Sequence, residues 1–186
     1  MNLTHGWPTR RQYRGATLIE QIMVVVITAI LTCVALPSLR RLLARHEVRT
    51  AQTSLIASLQ QARALAAQTG RRTVACPTRD GMRCSDEASW DGGWLVGFRG
   101  DQANQLDGPP QYSRVDTARQ LTIQSNTGRH YVQFQSSGFA GGSNLTVLIC
   151  RRSDPSHVVS VKVSQAGRVR GGDATADEAA QCAGTG

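Results

Sequence analysis

Residues 16–36 form a run of 21 mostly apolar positions with one carboxylate, Glu20, near its front edge. At ~1.5 Å of rise per residue, a helix of that length spans about 30 Å, the thickness of a bilayer's hydrocarbon core. The pattern predicts a membrane-spanning helix. Helical spacing continues through residues 38–68, where Val48, Leu55, Ile56, Leu59, Ala62 and Ala66 make one apolar stripe. Arg40, Arg41, Arg45, Arg49 and Arg63 fall mostly off it, on what reads as a solvated face. Thr69-Gly70 is a natural stop, because glycine takes the left-handed cap without strain. Beyond it the period shortens. Runs at 72–76, 93–98, 111–115, 120–124, 130–135, 145–150, 157–163 and 168–170 read as short strands, with turns at 126–128 and 141–144. Eight strands without intervening helices imply antiparallel sheets packed on one another and on the helix. The predicted fold class is α+β.

The fifteen residues ahead of the apolar run carry Arg10, Arg11 and Arg14 and no acid, the pattern of a segment held on the cytoplasmic side. A secretory signal has its small-residue cleavage site after the apolar stretch, but Val34-Ala35-Leu36-Pro37 makes a poor one. Gly15 stands before the stretch instead. A cut there leaves the whole helix on the mature chain, with a new amino group on Ala16, four residues from Glu20. A carboxylate within a membrane span costs a few kcal/mol and so calls for a partner. No cation lies within one helical turn of it, so Glu20 is expected to meet one on another molecule, unless the span is a plain anchor.

Gly15, Thr17, Leu18, Ile19, Glu20 and the later Pro37 together resemble the type IV pilin and pseudopilin superfamily. The resemblance implies a leader (1–15) removed by a prepilin peptidase that also methylates the new terminus at Ala16, where the family mostly has Phe or Met. It further implies a filament-core or transmembrane helix (16–36) kinked near Pro37, an amphipathic continuation (37–69) and a periplasmic β-rich head (70–186). Glu20 would pair with the amino terminus of a neighbouring subunit during assembly. The implied location is the inner membrane, single-pass with the head in the periplasm, and then a pilus or periplasmic pseudopilus.

Loss of the three leader arginines lowers the net charge from +8 to +5 on a mature chain of 171 residues, enough for one core beyond the helix. Cys33 reads as a small hydrophobe within the span. The other four cysteines, Cys76, Cys84, Cys150 and Cys182, fall in a head exposed to oxidation, and four cysteines allow three pairings. The favoured one joins Cys76 to Cys84 across a turn-rich segment and Cys150 to Cys182, tying the Gly/Ala-rich tail to a core strand. Zinc is the alternative, disfavoured because there is no Cys-x-x-Cys and no histidine beside these residues.

The head narrows the resemblance. Cys76-Pro77-Thr78-Arg79-Asp80-Gly81 with Cys84, Trp90 and Gly93-Trp94-Leu95-Val96 resemble the GspH/FimT family of minor subunits. So do Phe134 to Gly138, Gly141-Gly142, Leu148-Ile149-Cys150 and the ending Ser164 to Arg170. The two tryptophans read as core. The ending also carries Gly167-Arg168-Val169-Arg170-Gly171-Gly172, two arginines two apart on an extended run and hence on one face, with Val169 turned inward. Flanking glycines would let the backbone come close to a ligand. Between Leu145 and Gly172 five basic residues (Arg151, Arg152, Lys162, Arg168, Arg170) face one acid, Asp154. Such charge without base-reading elements suits phosphate contacts with double-stranded DNA. The Gly-Arg-x-Arg also resembles the motif by which pilus-associated members capture DNA in natural transformation. The resemblance assigns that contact to Arg168 and Arg170; charge alone adds Arg151, Arg152 and Lys162. The plain alternative is a charged edge strand that resists aggregation.

No nucleophile elbow, phosphate loop or metalloprotease motif is present, and His5, His46, His130 and His157 are scattered. The expectation is a protein without catalytic activity, cofactor or metal, and itself the substrate of a peptidase. Its expected partners are other pilins or pseudopilins, the inner membrane and DNA. A pseudopilin of a type II secretion machine, without DNA binding, remains the second reading.

Overall fold

Helix α1 runs from Leu18 to Thr69, 52 residues, and passes through Pro37 without a break. The computed structural model describes residues 17–102, 104–115, 120–125, 129–142, 144–152 and 154–183. Gly15 and Ala16, the expected cleavage site, lie outside the described residues, as does the expected turn at 126–128. The chain divides into two compact units, Met1–Arg41 and Leu42–Gly186, so the boundary falls four residues beyond Pro37 and inside the helix.

In the first unit the apolar side chains of α1 point outward: Leu18, Ile19, Ile22, Val25 and Leu31 are all exposed. This is the one described helix long and apolar enough to cross a membrane, and none of its apolar window is buried within the protein. The polar groups on it turn back on the helix. Thr28 Oγ1 donates to the Val24 carbonyl at 2.6 Å and Thr32 Oγ1 to the Thr28 carbonyl at 2.9 Å. Each hydroxyl is thus satisfied without water.

The second unit is built on residues 42–69 of α1. Its strands are β1 (Thr73–Pro77), β2 (Gly93–Phe98), β3 (Tyr112–Val115), β4 (Leu121–Ser125), β5 (Val132–Phe134), β6 (Leu145–Arg151), β7 (Asp154–Val163) and β8 (Val169–Asp173), followed by helix α2 (Ala176–Ala183). They form two four-stranded sheets, ordered β3-β2-β1-β5 and β4-β6-β7-β8, with every pairing antiparallel. The eight strands expected from the pattern are these eight, with 93–98 matched at both ends and no end moved by more than three residues. The second helix is the unexpected element.

One core joins all three layers. Val48, Ala51, Leu55, Leu59, Ala62 and Ala66 of α1 meet Trp94 and Val96 of the first sheet and Ile123, Val147, Ile149 and Val161 of the second. Alanines at three of the six helix positions let the strands come close. Polar contacts fix the register: Trp94 Nε1 donates to Ser58 Oγ at 2.9 Å, and Thr73 Oγ1 donates to the Ala62 carbonyl at 2.9 Å. Gln52 Nε2 donates to the carbonyls of Ser160 and Gly172, both at 3.0 Å, holding the helix to β7 and β8. Trp90 and Trp94 are fully buried, as expected of core residues.

The outer faces have their own covers. On the second sheet Leu148, Cys150 and Val158 pack under α2, with Cys182. On the first, Val74, Cys76 and Leu95 pack with Cys84, Leu106 and Tyr131. A disulfide pins each cover, Cys150–Cys182 for the helix and Cys76–Cys84 for the turn-rich loop. Cys33 is a free thiol on the exposed face of α1.

Candidate functional site

Alternation along β8 sets the site. Val169 packs against the core, while Arg168 and Arg170 stand exposed on either side of it. The strand is the last in its sheet and pairs only with β7, Arg170 opposite Lys162 and Val169 opposite Val163. Residues directly opposite share a face. Arg170 and Lys162 therefore project on the side that α2 covers further along. An open hollow of about 420 Å³ lies there, lined by Asn144, Thr146, Lys162, Ser164, Arg168 and Arg170 among others and by no acid.

Lys162 is already engaged. Its Nζ lies 2.9 Å from Glu178 Oε1, and that carboxylate is largely buried. The other oxygen, Oε2, accepts the Thr175 N–H at 2.9 Å, while Thr175 Oγ1 accepts the Glu178 N–H at 3.4 Å. This reciprocal pair is a capping box that starts α2. The bond from Lys162, followed by that from the Thr175 amide, holds the Glu178 carboxyl below its ordinary range. Arg168 and Arg170 have no ion pair within the described residues.

The five basic residues counted in sequence do not form one patch. Arg151 ends β6, opposite Leu121 and Asp154, whereas Thr146 lies in the row of Lys162 and Arg170. Five residues of strand separate the two rows, roughly 17 Å. Arg152 pairs with Asp91 at 2.7 Å, and Arg151 donates to Gln120. Asp91 neutralises Arg152, while Arg151 is tied to a neutral amide at the same strand end.

The flanking glycines also differ from the expectation that they admit a ligand. Gly167 has φ +75°, and a Cβ there would stand 1.9 Å from the Gly138 carbonyl oxygen. A Cβ on Gly171 would come within 2.6 Å of Ile56 Cδ1 and 3.0 Å of Gln52 Nε2. Both positions are empty so that the protein can pack on itself. Only Gly172 faces open space.

That packing brings in a residue remote in sequence. A Cβ on Gly138 would lie 3.1 Å from Arg63 Nε, and one on Gly167 would lie 3.4 Å from the same atom. Arg63 of α1 thus lies across both turns, next to Arg168, exposed and without an ion pair among the described residues. The Ala140 N–H donates to the Gln165 carbonyl at 3.1 Å, and the Gln165 N–H to Asn144 Oδ1 at 3.1 Å, which lock the two turns together. Sequence periodicity put Arg63 only on a solvated face. Nothing local could have linked it to residues a hundred positions later.

At the other end of the chain Thr17 Oγ1 accepts the Glu20 N–H at 3.4 Å, an N-cap on the first turn of α1. The Glu20 carboxylate is exposed and has no ion pair among the described residues.

The family model for type II transport protein GspH matches residues 51–167. No curated protein sequence matches the chain. Among solved structures, the type IV minor pilin FimU of Pseudomonas aeruginosa is similar in two crystal forms. One has a TM-score of 0.56 at 23% identity, covering 68% of this chain and 88% of FimU. The other has a TM-score of 0.54 at 21% identity, covering 67% and 91%. The minor pseudopilin EpsH of the Vibrio cholerae type 2 secretion system has a TM-score of 0.49 at 14% identity, covering 68% and 97%. At these identities the likeness to FimU is one of fold.

Proposed function

The chain belongs to the GspH family, and on that premise we propose that it is a minor pilin, built into a type IV pilus through α1 and binding DNA without sequence preference through β8. The observation that carries the DNA contact is the exposure of Arg168, just ahead of edge strand β8, and Arg170 within it, both lining one hollow that holds no acid. Arginine's planar fork suits phosphate oxygens, and the sheet edge has no helix or ribbon to enter a groove and read bases. Lys162, spent on Glu178, contributes little, and Arg151 and Arg152 lie at the far end of the sheet. Arg63 joins the contact from α1.

For assembly, we assign cleavage after Gly15 and methylation at Ala16 to a prepilin peptidase. Glu20 then meets the amino group of a neighbouring subunit. A helix whose apolar face has no cover within its own chain needs lipid first and sister helices afterwards. The role is structural and binding, not catalytic, and the head works in the periplasm or on the filament beyond it.

The test is a titration of the full chain, held in detergent micelles, with duplex DNA at several salt concentrations, beside Arg168→Ala/Arg170→Ala. Loss of two phosphate contacts lowers the log-log salt slope by roughly 1.8 and weakens binding to every sequence alike. Equal behaviour of the two proteins removes the DNA role. The family's description then favours the second reading, a minor pseudopilin of a type II secretion machine.

A further inference from the structure

Phe139 sits on the turn between Gly138 and Ala140 with 56% of its surface exposed. Its two neighbours are the points at which this turn is fastened to the one before β8. The Gly138 carbonyl is packed against Gly167, and the Ala140 N–H is bonded to the Gln165 carbonyl. Phe139 and Arg168 are each one residue removed from the Gly138–Gly167 contact. Their α-carbons therefore lie within about 13 Å, a span that two nucleotides of an extended strand bridge. Arg63 lies across the same two glycines, and Arg129 Nη1 reaches the next turn at Gly142.

A single surface phenylalanine ordinarily means nothing. This one differs in its surroundings: Arg63 lies across the two fastened turns, Arg168 follows Gly167, and the hollow that Arg168 shares with Arg170 is lined by no acid. Arginines beside an aromatic face are the two elements of a single-strand site, in which cations track the phosphates and the ring stacks a base. A duplex hides its base faces and gives the ring nothing to stack on.

We propose that Phe139 stacks an unpaired base, so that the site takes single-stranded nucleic acid, or the frayed end of a duplex, in preference to a closed duplex. This rests on the DNA-binding reading of Arg168 and Arg170. The geometry assigns Arg63 to the same strand, on the other side of the fastened turns.

The experiment uses the full chain in detergent micelles with a single-stranded oligonucleotide and with a hairpin duplex of closed ends. The proteins are wild type, Phe139→Ala, Phe139→Leu, Phe139→Trp and Arg168→Ala/Arg170→Ala. Because the ring is exposed, its loss leaves the core intact, and the unfolding midpoint of each variant checks this. Phe139→Ala and Phe139→Leu should each weaken the single strand about tenfold and leave the hairpin within twofold, while Phe139→Trp keeps wild-type affinity and its fluorescence is quenched on binding. The arginine variant should weaken both ligands. Three results overturn the proposal: Phe139→Ala lowers both ligands alike, Phe139→Leu binds the single strand as well as wild type, or Phe139→Ala changes only association with other filament subunits. If those variants bind as wild type while the arginine variant loses both ligands, stacking falls and the phosphate contact stands. If wild type binds neither, both readings fall together.

Discussion

Glu178 and Lys162 form the hinge between fold and charge in this head: one carboxylate starts α2 and neutralises the only lysine in the chain, at 2.9 Å. Replacing it with glutamine keeps an oxygen for the Thr175 amide but frees the ammonium. If β8 binds DNA as proposed, Glu178→Gln should steepen the salt slope of duplex binding by roughly 0.9, as Lys162 takes up a phosphate. The cost in stability should be no more than about 1 kcal/mol, since the lysine is half-exposed. An unchanged slope in the salt titration would place Lys162 outside the DNA path altogether.

Cys150–Cys182 closes a loop of 32 residues and pins a helix of eight, too short to hold itself. On the chain-entropy estimate such a loop contributes about 4 kcal/mol. Cys182→Ala should lower stability by roughly 2–4 kcal/mol in urea unfolding and expose the outer face of β6 and β7 to proteolysis. Stability equal to that of the oxidised wild type would mean that α2 docks without its bond.

Gly167 and Gly172 should respond to alanine in opposite ways. At Gly167 the backbone is left-handed and the new methyl meets a carbonyl oxygen at 1.9 Å, so the turn must open. The left-handed backbone alone costs about 1–2 kcal/mol, and the clash adds to that. At Gly172 a Cβ meets nothing within 4 Å. Alanine there should be neutral or stabilising by up to about 1 kcal/mol. Thermal unfolding of the two variants decides, and equal shifts would contradict the packing of Gly138 on Gly167.

Acid should loosen the loop closed by Cys76 and Cys84. Asp80 Oδ1 accepts the N–H of Met82 at 2.8 Å and of Arg83 at 2.9 Å, and these bonds, Met82 first, hold its carboxyl below the ordinary range. A depressed folded value means stability that is present above the unfolded value of about 3.9 and lost as pH falls through the folded one. The stability difference between wild type and Asp80→Asn should therefore be constant near neutrality and shrink steadily below about pH 4. Urea midpoints from pH 2 to 7 measure it; a difference that persists at pH 2 would assign the effect to packing.

Most of the architecture was legible because it rests on local period. The change at Gly70 from helical to strand spacing marks where α1 ends, and alternation at Val159, Val161 and Val163 gives β7 its inward face. The second helix escaped because its eight residues, four alanines with two acids, a glutamine and a cysteine, hold no large apolar side chain to announce it. Its one signal was the spacing of Thr175 and Glu178, which fits a capping box. Helix α1 continues through Pro37, and the chain divides into its two compact units between Arg41 and Leu42.

By itself, then, the sequence determined what depends on neighbours along the chain: the uncovered apolar helix, Glu20 near its start, the strand order in time, and two arginines forced onto one face by a period of two. Tertiary structure alone decided which charges stand together. Arg151 and Arg152 are near Arg168 in a count of residues, yet sheet register carries them to the far end and pairs Arg152 with Asp91. Lys162 sits in the right row and is neutralised by a carboxylate sixteen residues on. Arg63, across a hundred residues, reaches the site because Gly138 and Gly167 have no side chains to keep it away. Charge acts through distance in space, and only the packing of α1, the two sheets and α2 sets those distances.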